Sequence, residues 1–287
     1  MSCHSGVCGL AVALLLAAVC RPAQAVVLWS QNFDQIATGS TYADSTTLSS
    51  AAGTTDDVTL RTSGTANSNF TLVDRGSGNH ALQFTDNDST QSTFPKANSA
   101  NFSGTMSTTG TGNNSLSGSF SYTRLLSQTS SSTSPSFAFT ATAPGSASGF
   151  DLEVTVENDG HLHYFTGNGA GGTVNTDSGV VLQTGTEYTF QFGADLSSSS
   201  QDKWSLYVAT VASPQTALLN VSNLNTMEAN FAIVQFSFWG GLNQAGLNSA
   251  AFAQVDNISF SANPVPEPAS VGLVFVAGGG LLLRRKR

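Results

Sequence analysis

The stretch FDLEVTVENDGHLHYF, residues 150–165, alternates apolar and polar side chains with a period of two. Successive strand side chains point to opposite faces, so Phe150, Leu152, Val154 and Val156 fall on one side. Asp151, Glu153, Thr155 and Glu157 fall on the other, expected to be a solvated face. Asn158-Asp159-Gly160 then supplies a hairpin signal, pairing 150–157 with 161–165. The same period recurs on either side of this hairpin, in Leu116, Gly118, Phe120 and Tyr122 and in Phe137 and Phe139. It returns in Tyr188, Phe190 and Phe192 and in Trp204, Leu206 and Val208. No segment before the last 25 residues sustains a 3.6-residue apolar period, although 214–228 is expected to hold one short helix. The Ser-, Thr- and Gly-rich stretches 127–136, 167–176 and 197–201 read as surface loops of one domain, because strand patterns resume on each side. There is no internal repeat. The pattern predicts an all-β antiparallel sandwich.

Composition agrees with that reading. Charged residues are only 10 % of the 287, and Ser with Thr make up roughly a quarter. This bias suits strands and polar loops rather than helices. Between residues 26 and 262, five basic residues (Arg61, Arg75, Lys96, Arg124 and Lys203) face seventeen acidic ones, a net charge of −12. Phosphate binding needs clustered Lys and Arg, so nucleic acid is excluded as a partner. Cation binding or neutral sugar ligands are compatible with such a charge. The three cysteines, Cys3, Cys8 and Cys20, all precede residue 26, so the domain has neither a disulfide framework nor thiol chemistry.

Both ends read as export signals. VCGLAVALLLAAVC, residues 7–20, has the length of a signal-peptide apolar region and is short for a membrane span. Ala23-Gln24-Ala25 follows, so signal peptidase is expected to cut between Ala25 and Val26. The segment ahead of the apolar run has no Lys or Arg, only His4. A lipidated Cys20 is the rival reading, with Val19 a poor fit before it. The other end, NPVPEPASVGLVFVAGGGLLLRRKR, joins Pro266-Glu267-Pro268 to an apolar run at 269–283 and a basic terminus, Arg284, Arg285, Lys286 and Arg287. Fifteen helical residues cover about 22 Å, short of the roughly 30 Å hydrocarbon core, which suits a transient rather than a permanent span. The basic end belongs on the cytoplasmic side.

This tail resembles the PEP-CTERM sorting signal. The resemblance implies recognition by an exosortase, a membrane protease, through Val265, Pro266, Glu267 and Pro268, with Arg284 to Arg287 as the retention signal. It also implies a Gram-negative host that makes extracellular polysaccharide. The chain would pass through an inner-membrane intermediate to the cell surface or matrix. The expected division is a signal peptide at 1–25, a domain at 26–262 and a sorting tail at 263–287. The middle resembles the concanavalin-type jelly roll of lectin-like, laminin-G-like and glucanase-like domains. The resemblance rests on a first strand ending in Asn32-Phe33-Asp34, the hairpin quoted above, GTEYTFQF, KWSLYV and a last strand FAQVDNISF. It implies that first and last strands lie together.

Several residues are candidates for chemistry. Asp151, Glu153 and Glu157 are of the types that glucanases of this architecture use. Their order does not match the Glu-x-Asp-x-(x)-Glu run, and Glu153 and Glu157 stand about 13 Å apart along a strand. His161-x-His163 can begin a metal site, on which His80 could in principle converge. Gly167 to Gly172 spells G-x-G-x-x-G without a following helix, so it is not a phosphate loop. Asp34, Asp256 and Asn257 are expected to share a structural Ca²⁺, with Asp86, Asn87 and Asp88 as a second acidic group. Trp29, Trp204 and Trp239 sit within strand patterns and are expected in the core. No nucleophile–base motif is present. The sequence reading is a non-catalytic structural or carbohydrate-binding protein. The alternatives are a glycoside hydrolase or lyase on the same fold and, lower, an ice-binding protein, for which no regular Thr-x-Thr array exists.

Overall fold

The computed structural model describes residues 25–38, 41–42, 46–48, 57–62, 69–86, 95–101, 113–126, 135–142, 150–168, 172–196, 202–227, 233, 235–241 and 250–264. Among them are seventeen strands and no helix, arranged as two antiparallel sheets packed face to face. The first sheet runs in the order β15 (Ala217–Asn225), β14 (Lys203–Thr210), β13 (Glu187–Asp195), β8 (Asn113–Arg124), β17 (Ala250–Pro264), β6 (His80–Asp86), β5 (Asn69–Asp74) and β2 (Thr41–Tyr42). The long β17 also pairs with β1 (Val26–Gln31), so first and last strands do lie together. The second sheet runs in the order β12 (Thr173–Val181), β11 (His161–Gly167), β10 (Phe150–Glu157), β9 (Pro135–Thr142), β16 (Gln235–Trp239), β7 (Pro95–Ser99), β4 (Val58–Thr62) and β3 (Thr47–Leu48). This is an all-β jelly-roll sandwich.

The period of two places the core. Leu116, Phe120 and Tyr122 from β8, with Tyr188, Phe190 and Phe192 from β13, face inward from the first sheet. Phe137, Phe139, Leu152, Val154, Val156, Phe236 and Phe238 meet them from the second. Aromatic rings join the sheets: Phe120 meets Phe238 at 4.8 Å, edge to face, and Phe236 stacks on Phe260 at 4.3 Å. Each fully buried ring contributes about 1.5–3 kcal/mol from burial, and each well-oriented pair about 0.5–1.5 kcal/mol more. Gly118 falls on the same inward face, where a Cβ would overlap the Phe260 ring, so only glycine fits.

The hairpin turn forms as expected. Gly160 adopts φ 98°, its N–H donates to Glu157 O, and Asp159 Oδ1 accepts from His161 N. The buried Arg124 ties this turn to the first sheet, donating to Leu182 O at 3.0 Å and to Asn158 O. A side chain at Gly160 would collide with that guanidinium.

Two expectations about elements are overturned, both at sheet edges. Residues 217–225 form strand β15 and not a helix, and residues 173–176 belong to strand β12 and not to a loop. An edge strand on a sandwich leaves most side chains in water, so neither segment needs alternating apolar residues. The exposures bear this out: Val174, Val181 and Leu218 are 44 %, 40 % and 44 % exposed.

Candidate functional site

The outer face of the second sheet carries the candidate site, and here the sequence reading needs correction. Glu153 and Glu157 point away from the core as expected, yet they are not solvated: they are 9 % and 8 % exposed. Thr155 between them, Thr140 on β9 and Ser237 on β16 are also buried. The centre of this sheet is therefore covered on both sides. The side chain of Asp151 lies outside the described residues.

Strand register aligns these groups in rows. Across one row, Glu153 faces Phe165 on β11 and Thr140 on β9, and Thr140 faces Ser237. Across the next, Thr155 faces His163 and Ala138, and beyond them stand Asp177 on one side and Trp239 then Lys96 on the other. Ser237 Oγ donates to Asn98 Oδ1 at 2.7 Å. The Thr140 and Thr155 hydroxyls are buried with no hydrogen-bond partner among the described residues.

Burial sets the electrostatics. It pushes the Glu153 carboxyl up to about 7, so this group holds its proton near neutrality. It also raises Glu157, against the opposing pull of His163 and His161. Lys96 is lowered for the same reason.

His161 and His163 project from β11 on the same face, and Asp177 joins them from β12. One ring nitrogen of each histidine and one Asp177 oxygen lie within 4.8 Å of one another. His161 Nδ1 donates to Asp177 Oδ2 at 3.1 Å, and His163 Nδ1 to Asn175 Oδ1 at 3.0 Å. The Gly179 backbone N–H, 2.8 Å from Asp177 Oδ1, holds that carboxyl below its ordinary value, and His161 adds to this. His80 does not converge on them. It lies in the first sheet, where its ring contacts Ile36 O and Phe33 O.

The proposed calcium residues sit elsewhere. Asp256 and Asn257 occupy a bulge where β17 leaves β6 and takes up β1. Asn257 adopts φ 52°, and both Asp256 oxygens accept from Asn257. Asp34 approaches Asp256 closely enough for repulsion, but its own oxygens accept from His80 N and Asn32 Nδ2. The cation beside Asp256 is Arg75, 3.8 Å away and paired with Glu187 at 2.8 Å. Burial nonetheless raises Asp256 to about 6.

Trp29 and Trp204 are core residues as expected, but Trp239 is not: it shares the outer row with Ala138 and Lys96 and is half-buried. Gly167 ends β11, and Asn168 closes the turn with Gly172 through their backbones and the Asn168 side chain. Asn87 and Asp88, the signal at 1–24, the motif Val265, Pro266, Glu267 and Pro268, and Arg284 to Arg287 lie outside the described residues. Ala25 is exposed and Val26 opens β1.

No family model matches the chain, and no curated protein matches it. Among solved structures it is similar to an endo-β-1,4-glucuronan lyase from the fungus Trichoderma reesei, with a TM-score of 0.49, 11 % identity, and coverage of 69 % of this chain and 89 % of that one. It is similar to a protein of unknown function from Shewanella oneidensis MR-1 at TM-score 0.48, 14 % identity and coverage of 78 % and 85 %. A marine alginate lyase from Aplysia kurodai follows at TM-score 0.45, 9 % identity and coverage of 67 % and 86 %. At such identities the residues of the site are read from this chain alone.

Proposed function

We propose that this chain is an exported protein, sorted by a PEP-CTERM tail, whose jelly roll binds a neutral extracellular polysaccharide on the outer face of its second sheet. The observation that carries the reading is the pair of buried polar rows at that face. A ligand that displaces what covers this face would give the unpartnered hydroxyls of Thr140 and Thr155 and the protonated Glu153 hydrogen-bond partners among sugar hydroxyls. Trp239 and Phe165 flank them with aromatic surface. The acidic charge of the domain disfavours polyanionic chains.

A glycan array probed with the protein from Val26 onward tests the binding half. Signal on neutral glycans that falls in Thr155→Val and Trp239→Ala variants is expected; no signal on any glycan defeats it. Intact-mass analysis of protein recovered from cells and medium tests the sorting half. A native chain retaining Arg287 in the inner membrane defeats that.

A glycan-active enzyme is the second reading, favoured by one feature: a carboxyl titrating near 7 suits proton transfer. Glu153 and Glu157, about 13 Å apart along one strand, are too distant to serve together as hydrolase carboxylates. The reading therefore needs Glu153 to act with another group. Loss of polysaccharide-cleaving activity in Glu153→Gln would support it, and the absence of any cleavage by the wild type would remove it.

A further inference from the structure

We propose that His161, His163 and Asp177 form a binding site for a divalent cation of the zinc class. This does not rest on polysaccharide binding, and the two readings can fail separately.

The backbone builds the cluster. His161 pairs with Val181 and His163 with Asp177, so four steps of β12 oppose two of β11. Residues 178–180 bulge out of the ladder, with Gly179 at φ 74°. Without that bulge Asp177 would face only His163; with it, the carboxylate also reaches His161. Bulges of this kind re-aim side chains and gather near functional sites.

The chemistry of the donors selects the ion. Two imidazoles and one carboxylate suit Zn²⁺, whereas Ca²⁺ and Mg²⁺ want oxygen ligands throughout. Ligand atoms of a tetrahedral zinc stand about 3.4 Å apart for bonds of about 2.1 Å. The observed spread of 4.8 Å is closed by small rotations of partly exposed side chains. The 3.0 Å contact between His163 Nδ1 and Asn175 Oδ1 suits the tautomer with its hydrogen on Nδ1, which leaves the Nε2 lone pair for a metal. A second hydrogen-bonded group of this type commonly orients a metal-binding histidine.

Two further groups point to a ligand here. Thr155, the register partner of His163 on the same face, has a buried hydroxyl without a partner. Glu157 adds a carboxyl among the electrostatic neighbours of both histidines. Three protein ligands leave a position open for water or for an oxygen of a bound molecule.

Calorimetric titration of the full chain with ZnCl₂ alone tests this, in a Cys3→Ser, Cys8→Ser, Cys20→Ser background that removes the N-terminal thiols. One saturable equivalent is expected, unaffected by excess Ca²⁺. His163→Ala and Asp177→Asn should each weaken it more than tenfold. Asn175→Ala should weaken it roughly 10–100-fold, since it releases the ring without removing a ligand. Circular dichroism without metal checks that each variant folds, and His161→Gln, at a partly exposed position, provides a second ligand variant. An absence of saturable heat, or equal affinity in wild type, His163→Ala and His161→Gln, overturns the proposal.

Discussion

Glu153→Gln separates a buried, proton-holding carboxyl from an ordinary surface one. Burial raises Glu153 from 4.5 to about 7. At 1.36 kcal/mol per unit, this shift of about 2.5 units corresponds to about 3 kcal/mol. The folded state binds this proton more tightly than the unfolded chain. The stability it contributes is full below about pH 4.5 and is lost as pH rises through about 7. Glutamine keeps the shape and neutrality of the protonated acid without the titration. The variant should therefore match the wild type near pH 4.5 and exceed it by up to about 3 kcal/mol near pH 8. That corresponds to roughly 6–12 °C in Tm for a domain of this size. Urea denaturation of both proteins across pH 4.5–8 reads the difference. Glu157 and Asp256, also raised by burial, titrate in both and cancel. A difference that stays constant across that range would refute the reasoning, because the Glu153 carboxyl would then be as well solvated folded as unfolded.

Other substitutions test other parts of the architecture. Arg124→Met removes the donors to Leu182 O and Asn158 O and should cost about 3 kcal/mol by urea denaturation, with Arg124→Lys recovering little because one ammonium cannot span both carbonyls. Gly118→Ala forces a methyl into the Phe260 ring and should cost about 1–3 kcal/mol, partly restored by Phe260→Leu. Thr155→Val replaces an unpartnered buried hydroxyl by a methyl and should stabilise the ligand-free protein by about 1 kcal/mol in a thermal melt; destabilisation would mean that the hydroxyl has a partner.

The inward faces were legible because alternation reports them directly: the positions marked apolar in β8, β9, β13 and β14 are core positions. The edge strands were not, since β12 and β15 have little to bury and so carry no alternation. Glu153 shows a second limit. A period of two tells which way a side chain points but not what covers that side, so an outward carboxylate was read as wet when it is buried. Trp239 failed the same way: next to Phe236 and Phe238 it looks like core, yet one step along a strand reverses the face. Asp177 was missed because it stands fourteen residues beyond His163, at no metal-ligand spacing. The Asp177-Ser178-Gly179 turn chemistry was its only signal, and a turn inside a strand means a bulge.

The outward hydroxyls of the sandwich bear on function. On the first sheet the outward hydroxyls are of both kinds: Ser117 and Ser259 are exposed, and Ser117 and Ser261 share a hydrogen bond at 3.3 Å, whereas Ser121 and Thr123 are buried, the Thr123 hydroxyl with no partner among the described residues. On the second sheet, Thr140 and Thr155 have already lost their water and gained no partner. Each such group costs about 1–3 kcal/mol, and valine would occupy the same volume more cheaply while suiting a strand better. Packing alone therefore does not explain threonine at these positions. A ligand that pairs those hydroxyls recovers what folding spent, so its affinity is set by groups the fold has desolvated in advance. The row of Thr155 ends at His163 and Asp177, which places the proposed cation beside that hydroxyl, where it can hold a ligand oxygen that Thr155 also contacts.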